Sequence, residues 1–509
     1  MYPKYGSGFV RLLMLATSLL ACGACTSPRE YLRNGFKVGP NFTPPMAQVE
    51  EHWIDQADVR VRDQSDVPLY WWTLLHDPML DGLVQQAANQ NLTLAQAGYR
   101  ILQARAQLGI AVGSFFPQQQ DTSGSYQRLG AGGDFFNQWA QGFTLAWELD
   151  FWGRYRRAIL ASDAQLGASI ANYDDVLVTL LGDVANNYVA IRVNQERIRL
   201  LDNNLAIQGS VLTIGEQRLA AGRITSVDVD QLRSNLAQNK GQREQLYINI
   251  RQAANRLCIL LGEPPRDLDE ELGKQPIPIV AKDVAVGIPA DLLRRRPDVR
   301  RAELQVGAQT ERVGIAMTDL YPAISIRGTM GYQSRDLSQL FTSDSFVGTI
   351  GPSFRWNVLN YGRLINNVRF EDAALQETIA AYQQTVLTAN GEVENAMVAF
   401  LRAQRRAQLY DESAVAAANA VTVMQQQLQV GQIDFNQYAT IQQNLIQVQD
   451  LGAQTRGEIV YALIQIYRAL GGGWEIARGT PGPVIGAISD AAPAPAEEPE
   501  AVPTVPADR

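Results

Sequence analysis

The chain has little of the raw material that most chemistry requires. Its 509 residues include two histidines, His52 and His76, and three cysteines, Cys22, Cys25 and Cys258. That supply is too thin for a metal centre or a Cys–His nucleophile pair. A phosphate-binding glycine loop, an HExxH helix and a GxSxG turn are all missing, so neither an enzyme nor a bound cofactor is expected. Dense basic blocks are missing too, and a net charge of −8 argues against a phosphate-binding surface, so nucleic acid is not an expected partner. Beyond the N-terminus no run of about 18 apolar residues occurs, so no helix is expected to cross a bilayer; a chain that does cross one must use strands. Cys258, in the apolar stretch "NRLCILLG", reads as a buried small hydrophobe, and the cysteines imply no disulfide framework.

What is there begins with an address. Lys4 and Arg11 precede "LLMLATSLLACGAC", which has signal-peptide length and is too short for a stable transmembrane helix. Leu19-Leu20-Ala21-Cys22 resembles a bacterial lipobox, whose cysteine becomes the acylated first residue. Cys25 is the alternative site, with Cys22 in place of leucine at its −3 position; ordinary signal cleavage nearby would leave both thiols incidental. Residues 1–21 are thus read as a signal peptide and 22–69 as a lipidated, extended segment carrying "KVGPNFTPP".

The rest of the chain is written twice. "AWELDFWGR" returns as "RWNVLNYGR", with Trp147, Gly153 and Arg154 matched by Trp356, Gly362 and Arg363, each 209 positions later. "GIAVGSFFP" (109–117) returns as "GIAMTDLYP" (314–322), 205 positions later, and "LAAGRI" (219–224) as "LQVGQI" (428–433), again at 209. The offset changes only between Pro117 and Trp147, so the second copy is expected to have the longer hairpin turn. Repeat one spans 70–262 and repeat two 290–474, with a proline-bearing linker at 263–289 and a disordered Pro/Ala/Glu-rich tail at 475–509.

Each repeat reads as helix, β-hairpin, then two long helices. The first helix stops at Phe116-Pro117 or Tyr321-Pro322, because the residue before proline avoids the α region. Proline-free helical patterns then run from Tyr155 to Ala221 and from Leu364 to Val430, each about 100 Å long at 1.5 Å per residue. Their Gln, Asn, Asp and Arg content places them in water. Each ends at a glycine suited to the left-handed cap, Gly222 or Gly431. The return helices start at capping-box spacing, Thr225 with Asp228 and Asp434 with Gln437, and run to Leu261 and Leu470. The basic run 294–301 reads as a solvated face pairing with Glu303.

The hairpins, about 117–150 and 322–358, alternate apolar and polar residues. Ile324, Ile326, Met330 and Tyr332 share a face, as do Trp139, Phe143, Leu145 and Trp147; the strand near Gln119 to Leu129 alternates only weakly. Pro352 inside a strand counts against that assignment unless it marks a bulge. A lipid-facing strand must pair on both edges, since an unsatisfied amide in hydrocarbon costs several kcal/mol. Four strands cannot close around a lumen, whereas three chains supply twelve, within the range of membrane barrels.

With these motifs in view, "KVGPNFTPP", "WWTLLHDPMLDGLV", "WELDFWGR", "IPADLLRRRPDVRRAE" and "YGRL" together resemble the TolC-type outer membrane factors, in the lipoprotein (NodT-like) branch that serves RND-type multidrug efflux pumps. The resemblance implies a mainly α homotrimer. A twelve-strand β-barrel would sit in the outer membrane lipid, and a twelve-helix α-barrel of duplicated antiparallel coiled-coil hairpins would project into the periplasm. The implied partners are a periplasmic adaptor protein and an inner-membrane RND-type transporter, and the implied function is passive export of small molecules. A type I protein-secretion channel of the same fold is the near alternative, and a lipid-anchored periplasmic coiled-coil scaffold the alternative from another class. The resemblance further implies that the helix tips form the periplasmic entrance, with Gly222, Ile224, Gly431 and Ile433 presented to the adaptor. Arg223, Asp228 and Asp230 would form the gate, with Arg223 bracing Asp228. Asp228 equally reads as completing a capping box with Thr225, and its second-repeat counterpart is the uncharged Gln437.

Overall fold

The computed structural model describes residues 27–62, 70–285, 295–430 and 432–474. The signal peptide, both candidate lipidation cysteines, Gly431 and the tail from 475 lie outside the described residues, as do parts of the linker.

A short N-terminal helix α1 (Pro28–Arg33) and a strap through residue 49 precede a two-residue strand β1 (Val61–Arg62). Repeat one follows: α2 (Pro78–Gln90), α3 (Leu92–Gly113), strands β2 (Gln119–Ala131) and β3 (Asp134–Glu148), α4 (Arg154–Ala220) and α5 (Ser226–Leu260). The linker carries α6 (Asp269–Leu272) and β4 (Val284–Ala285), which pairs in parallel with β1. Repeat two is α7 (Pro297–Thr318), β5 (Ala323–Ser334), β6 (Phe346–Arg355), α8 (Arg363–Val430) and α9 (Phe435–Ala469).

The two copies repeat individual bonds as well as elements. The indole N–H of Trp147 donates to the Phe115 carbonyl (3.2 Å), and that of Trp356 donates to the Leu320 carbonyl (3.0 Å), at the offsets seen in the sequence. Gly153 and Gly362 hold φ of 86° and 82° at the strand-to-helix corners, and Gly262 and Gly471 hold 78° and 71° after the return helices. The hairpin turns differ as expected: Gly132-Gly133 closes the first, while the second carries two 3-10 turns between Ser334 and Phe346.

The helices bury one continuous core where the two repeats meet. Trp71 stacks on Tyr467 and packs edge-on against Trp72, over Leu181, Tyr188 and Phe400. Arg192 lies over the Tyr188 ring and donates to the carbonyls of Leu272 and Gly273, pinning the linker to this core. Cys258 is fully buried here. One 18-residue window of α4 is apolar enough by composition to cross a bilayer, but two-thirds of it is buried inside the protein; its hydrophobicity serves packing.

Two sequence expectations are corrected. Pro352 marks no bulge: it sits opposite Ile326 in an unbroken β5–β6 register, on a strand that is an edge within the chain, where a missing N–H is tolerated. The basic run is not a solvated face pairing with Glu303. Arg296 is buried, donating to the Ala469 carbonyl at the end of α9 and to Asp298 and Glu392, while Arg301 pairs with Asp175 and Arg300 covers the Trp474 ring. Arg296 thus ties α7 to α8 and α9 within repeat two, and Arg301 ties α7 to α4.

Candidate functional site

Two regions hold the residues that the sequence singles out: the sheet and the helix tips. The strands form one antiparallel sheet in the order β2-β3-β5-β6, so β2 and β6 are open edges. The register resolves the faces. Opposite pairs Tyr126–Trp139, Phe143–Met330, Trp147–Ile326, Ile324–Phe354 and Tyr332–Phe346 put most of the large apolar side chains on one side. Asp121–Thr144, Glu148–Ser325 and Thr329–Thr349 fall on the other. On the apolar side Ile350 is 79% and Phe354 76% exposed, so within one chain nothing covers it. The weakly patterned β2 forms because β3 supplies its ladder along its whole length. Side-chain periodicity shows where a strand is half-buried, whereas pairing is a backbone matter.

Below the sheet, the strand-to-helix corner is charged. Arg154, at the start of α4, pairs with Asp319, the C-cap of α7, at 3.1 Å, with Glu148 at 3.8 Å. Its second-repeat counterpart Arg363 is exposed and has no carboxylate within ion-pair distance among the described residues of the chain. The N-terminal strap is clamped at the same level. Tyr31 donates to the Phe151 carbonyl (2.6 Å), and Arg156 donates to the carbonyls of Gly35 and Phe36. Arg157, fully buried, donates to the carbonyls of Val38 and Gly39 and to Glu311 of α7 at 2.6 Å. The strap, whose first described residue Ser27 lies five positions after Cys22, is thus held at the rim of the sheet.

At the opposite end lie the tips. Gly222 takes a φ of 70°, a left-handed conformation that a side chain would strain, and turns the chain from α4 to α5. Thr225 and Asp228 form a full capping box: the Thr225 amide and hydroxyl donate to the Asp228 carboxylate at 2.9 and 2.7 Å, and the Asp228 amide donates back. The Thr225 hydroxyl and amide hold the Asp228 carboxyl below its ordinary pKa. In the second tip Asp434 accepts from the Gln437 amide at 2.7 Å. Arg223 is exposed and does not reach Asp228 within the chain, and Asp230 makes a loose 3.6 Å contact with Arg233. Gly222 is exposed, whereas Ile224 and Ile433 are half-buried against a shared apolar cluster of Val211, Leu232, Leu428, Phe435 and Tyr438. That cluster joins both hairpins.

One residue of this region escaped the sequence reading. Arg218, in the last turn of α4, donates to the Leu428 and Gln429 carbonyls at 2.9 and 3.0 Å and lies over the Phe435 ring. It satisfies the end of a different helix, α8. A basic residue in a last turn was visible as a signal, but not which helix it would cap. A cleft of about 620 Å³ between α4, α7, α8 and α9 is lined by Asp175, Arg296, Asp298, Arg301 and Glu392. Its charges are paired: Arg296 with Asp298 and Glu392, Arg301 with Asp175, and Arg468 with Asp183.

Known proteins share this arrangement. A family model described as "Outer membrane efflux protein" matches residues 83–263 and 288–472, one segment for each repeat. Nodulation protein T of Rhizobium leguminosarum bv. trifolii is 32% identical over 74% of the chain and 81% of its own length. The pyoverdine export outer membrane protein OpmQ of Pseudomonas putida is 28% identical over 91% of the chain and 97% of its own. Among solved structures, the outer-membrane channel OprN superposes with a TM-score of 0.81 at 30% identity, covering 86% of this chain and 99% of that one. The Campylobacter jejuni CmeC outer membrane channel shares the fold at a TM-score of 0.79 and 24% identity, covering 86% and 94%.

Proposed function

The chain belongs to the outer membrane efflux protein family, and from that premise we propose that it works as a homotrimeric exit duct whose tips dock a periplasmic adaptor beneath an RND-type inner-membrane transporter. It is the outer membrane channel of an efflux pump, with its helices in the periplasm. The observation that carries the trimer is the sheet. It has four strands, one face that carries most of the large apolar side chains and two open edges, which lipid does not tolerate and three copies would close as a twelve-strand barrel. Transport would be passive, with the energy supplied by the inner-membrane partner. The name of the OpmQ relative refers to pyoverdine export, which favours small molecules over proteins as cargo. Deleting the protein from cells that hold its pump should raise accumulation of a fluorescent pump substrate several-fold. Unchanged accumulation, with no other outer membrane channel substituting, would refute the efflux role.

Gly222 and Ile224, with Gly431 and Ile433 in the second tip, are the proposed adaptor contact, and Arg223, Asp228 and Asp230 the proposed gate. Because Asp228 is tied to Thr225 inside one chain, any brace from Arg223 would run between chains. Asp228→Ala should raise single-channel conductance; identical recordings would remove it from the gate. Acylation is proposed at Cys22, with Cys25 as the alternative, supported by the strap being fastened at the rim of the sheet. Mass spectrometry of the mature N-terminal peptide decides between them.

A further inference from the structure

The start of the N-terminal strap is fastened more firmly than a passive connector needs. Helix α1 opens on an N-cap, Ser27, whose hydroxyl accepts from the Glu30 amide, and it is followed by a turn through Gly35 and Phe36 at φ of 68° and 59°. The Phe36 ring meets Tyr31 edge-on, and Tyr31 tilts against Trp152, which stacks on Tyr321. Together with the Tyr31 hydroxyl and the Arg156 guanidinium, these contacts fix the short helix to the corner below β3. What the segment turns outward has no such cover. Leu32 is 60%, Phe36 53% and the neighbouring Phe151 52% exposed. Arg29 and Arg33, one helical turn apart, are exposed as well, and Lys37 lays its stem against Gly153.

The charge of this segment is local and unspent. Residues 29–37 carry three cations and one acid, Glu30, in a chain whose net charge is −8. Arg29, Arg33 and Lys37 form no ion pair among the described residues, and Asp150, the acid of that corner, is held by Arg156. Helix α4 fixes the side of the sheet on which they stand. Arg154 reaches Glu148, which faces the polar side. Arg156, two residues on and so about 200° further around a helix of 3.6 residues per turn, reaches the carbonyls of Gly35 and Phe36. Helix α1 therefore lies on the apolar side, at the level where the large apolar side chains end with Trp147, Ile324 and Phe354.

A rigid edge that sets exposed apolar side chains beside three unpaired cations, at the border of a lipid-facing sheet, has the chemistry of a headgroup layer on its other side. We propose that α1 and Lys37 form a headgroup site for anionic phospholipid in the periplasmic leaflet of the outer membrane. Arg29 and Arg33 take the phosphodiester oxygens, for which the planar guanidinium fork is suited, and Leu32 and Phe36 lie against the first methylenes of the acyl chains. Phosphatidylglycerol keeps its full negative charge there. Phosphatidylethanolamine carries an ammonium of its own, which cancels that charge and is repelled by Lys37. The site goes beyond the efflux role and needs no trimer; it rests on the outer membrane placement alone. It also gives the clamped strap a purpose, since a fixed helix ties the height of the headgroup layer to the end of the apolar face.

The test is lipid retention by the full-length protein, reconstituted in nanodiscs of equal parts phosphatidylglycerol and phosphatidylethanolamine, returned to detergent, and weighed with its retained lipids by native mass spectrometry. Each cation near an anionic lipid surface multiplies the attraction about fivefold, so the parent should keep phosphatidylglycerol over phosphatidylethanolamine by about tenfold, less as salt rises. Arg29→Gln/Arg33→Gln should bring the two lipids to within about twofold of each other at unchanged particle mass. Arg29→Lys/Arg33→Lys, which keeps the charge, should retain most of the preference. A parent without preference, a glutamine variant with the ratio of the parent, or a lysine variant as indifferent as the glutamine one would overturn the site while leaving the efflux role intact. Retention of a phosphorylated glycolipid of the outer leaflet in place of phosphatidylglycerol would overturn it too. Recovery of the protein outside the outer membrane fraction would instead refute the placement on which the site rests.

Discussion

The buried clamp on the N-terminal strap offers the sharpest quantitative test. The side chain of Arg157 is fully buried and that of Glu311 nearly so, so no solvent screens the pair. Glu311→Ala would leave a guanidinium in the interior with only the Val38 and Gly39 carbonyls as partners. Removing one member of a buried pair costs about 3–5 kcal/mol. The two carbonyl bonds that survive place this case near the lower end, about 3 kcal/mol. The cost falls where Arg157 joins the strap, α4 and α7, so it should appear as local opening rather than global unfolding. At about 1.4 kcal/mol per factor of ten, the open population of the strap should rise about a hundredfold. Limited trypsin cleavage at Arg33 and Lys37 reads that population when reclosing outpaces cleavage. Cleavage of the variant should therefore be about a hundredfold faster. Glu311→Gln, which keeps an acceptor for the guanidinium and leaves both strap carbonyl bonds in place, should lose much less protection than Glu311→Ala. A change of less than about threefold in Glu311→Ala, or Glu311→Gln as labile as Glu311→Ala, would refute the reasoning.

Other consequences follow from the same coordinates. Arg218→Gln, which removes the bonds to Leu428 and Gln429, should loosen both tips together and raise resting conductance; recordings identical to the parent would show that this contact does not restrain the entrance. Thr225→Val should cost the first tip about 1 kcal/mol of helix-start stability, read as faster amide exchange over residues 225–229 with the second tip unchanged. Burial pushes the Asp298 carboxyl up, but the hydrogen bond and charge of Arg296 more than offset it and hold it below its ordinary value. A carboxyl lowered in the folded state stabilises above the unfolded pKa of about 4, and that contribution is lost as pH falls through the folded value. Thermal stability should therefore drop below pH 4, with a shallower drop in Asp298→Asn.

Much of the architecture was legible because the sequence repeats itself. Trp147 and Trp356, Gly153 and Gly362, and Pro117 and Pro322 mark corners and stops whose causes are local, namely a fixed φ, a left-handed turn and a proline that ends a helix. Local causes survive without knowledge of the fold. Strand β2 was harder, because its polar, glycine-bearing residues carry no alternation and its order comes from β3. Contacts between distant segments were invisible for the same reason. Arg296 looked like one of a solvated run, yet it caps a helix that ends more than 170 residues away. Arg218 and the Arg157–Glu311 clamp likewise unite segments that only the completed fold brings together. At the tips, the capping residues Thr225, Asp228 and Asp434 were readable from spacing. The half-burial of Ile224 and Ile433 against a cluster shared by two hairpins was not.

The most direct test of the whole account is native mass measurement of the particle extracted from outer membranes, paired with planar-bilayer recording of the same fraction. The account predicts a mass three times that of the mature chain and discrete conductance steps carried by that species alone. A stably folded single chain that inserts and conducts unaided would contradict it.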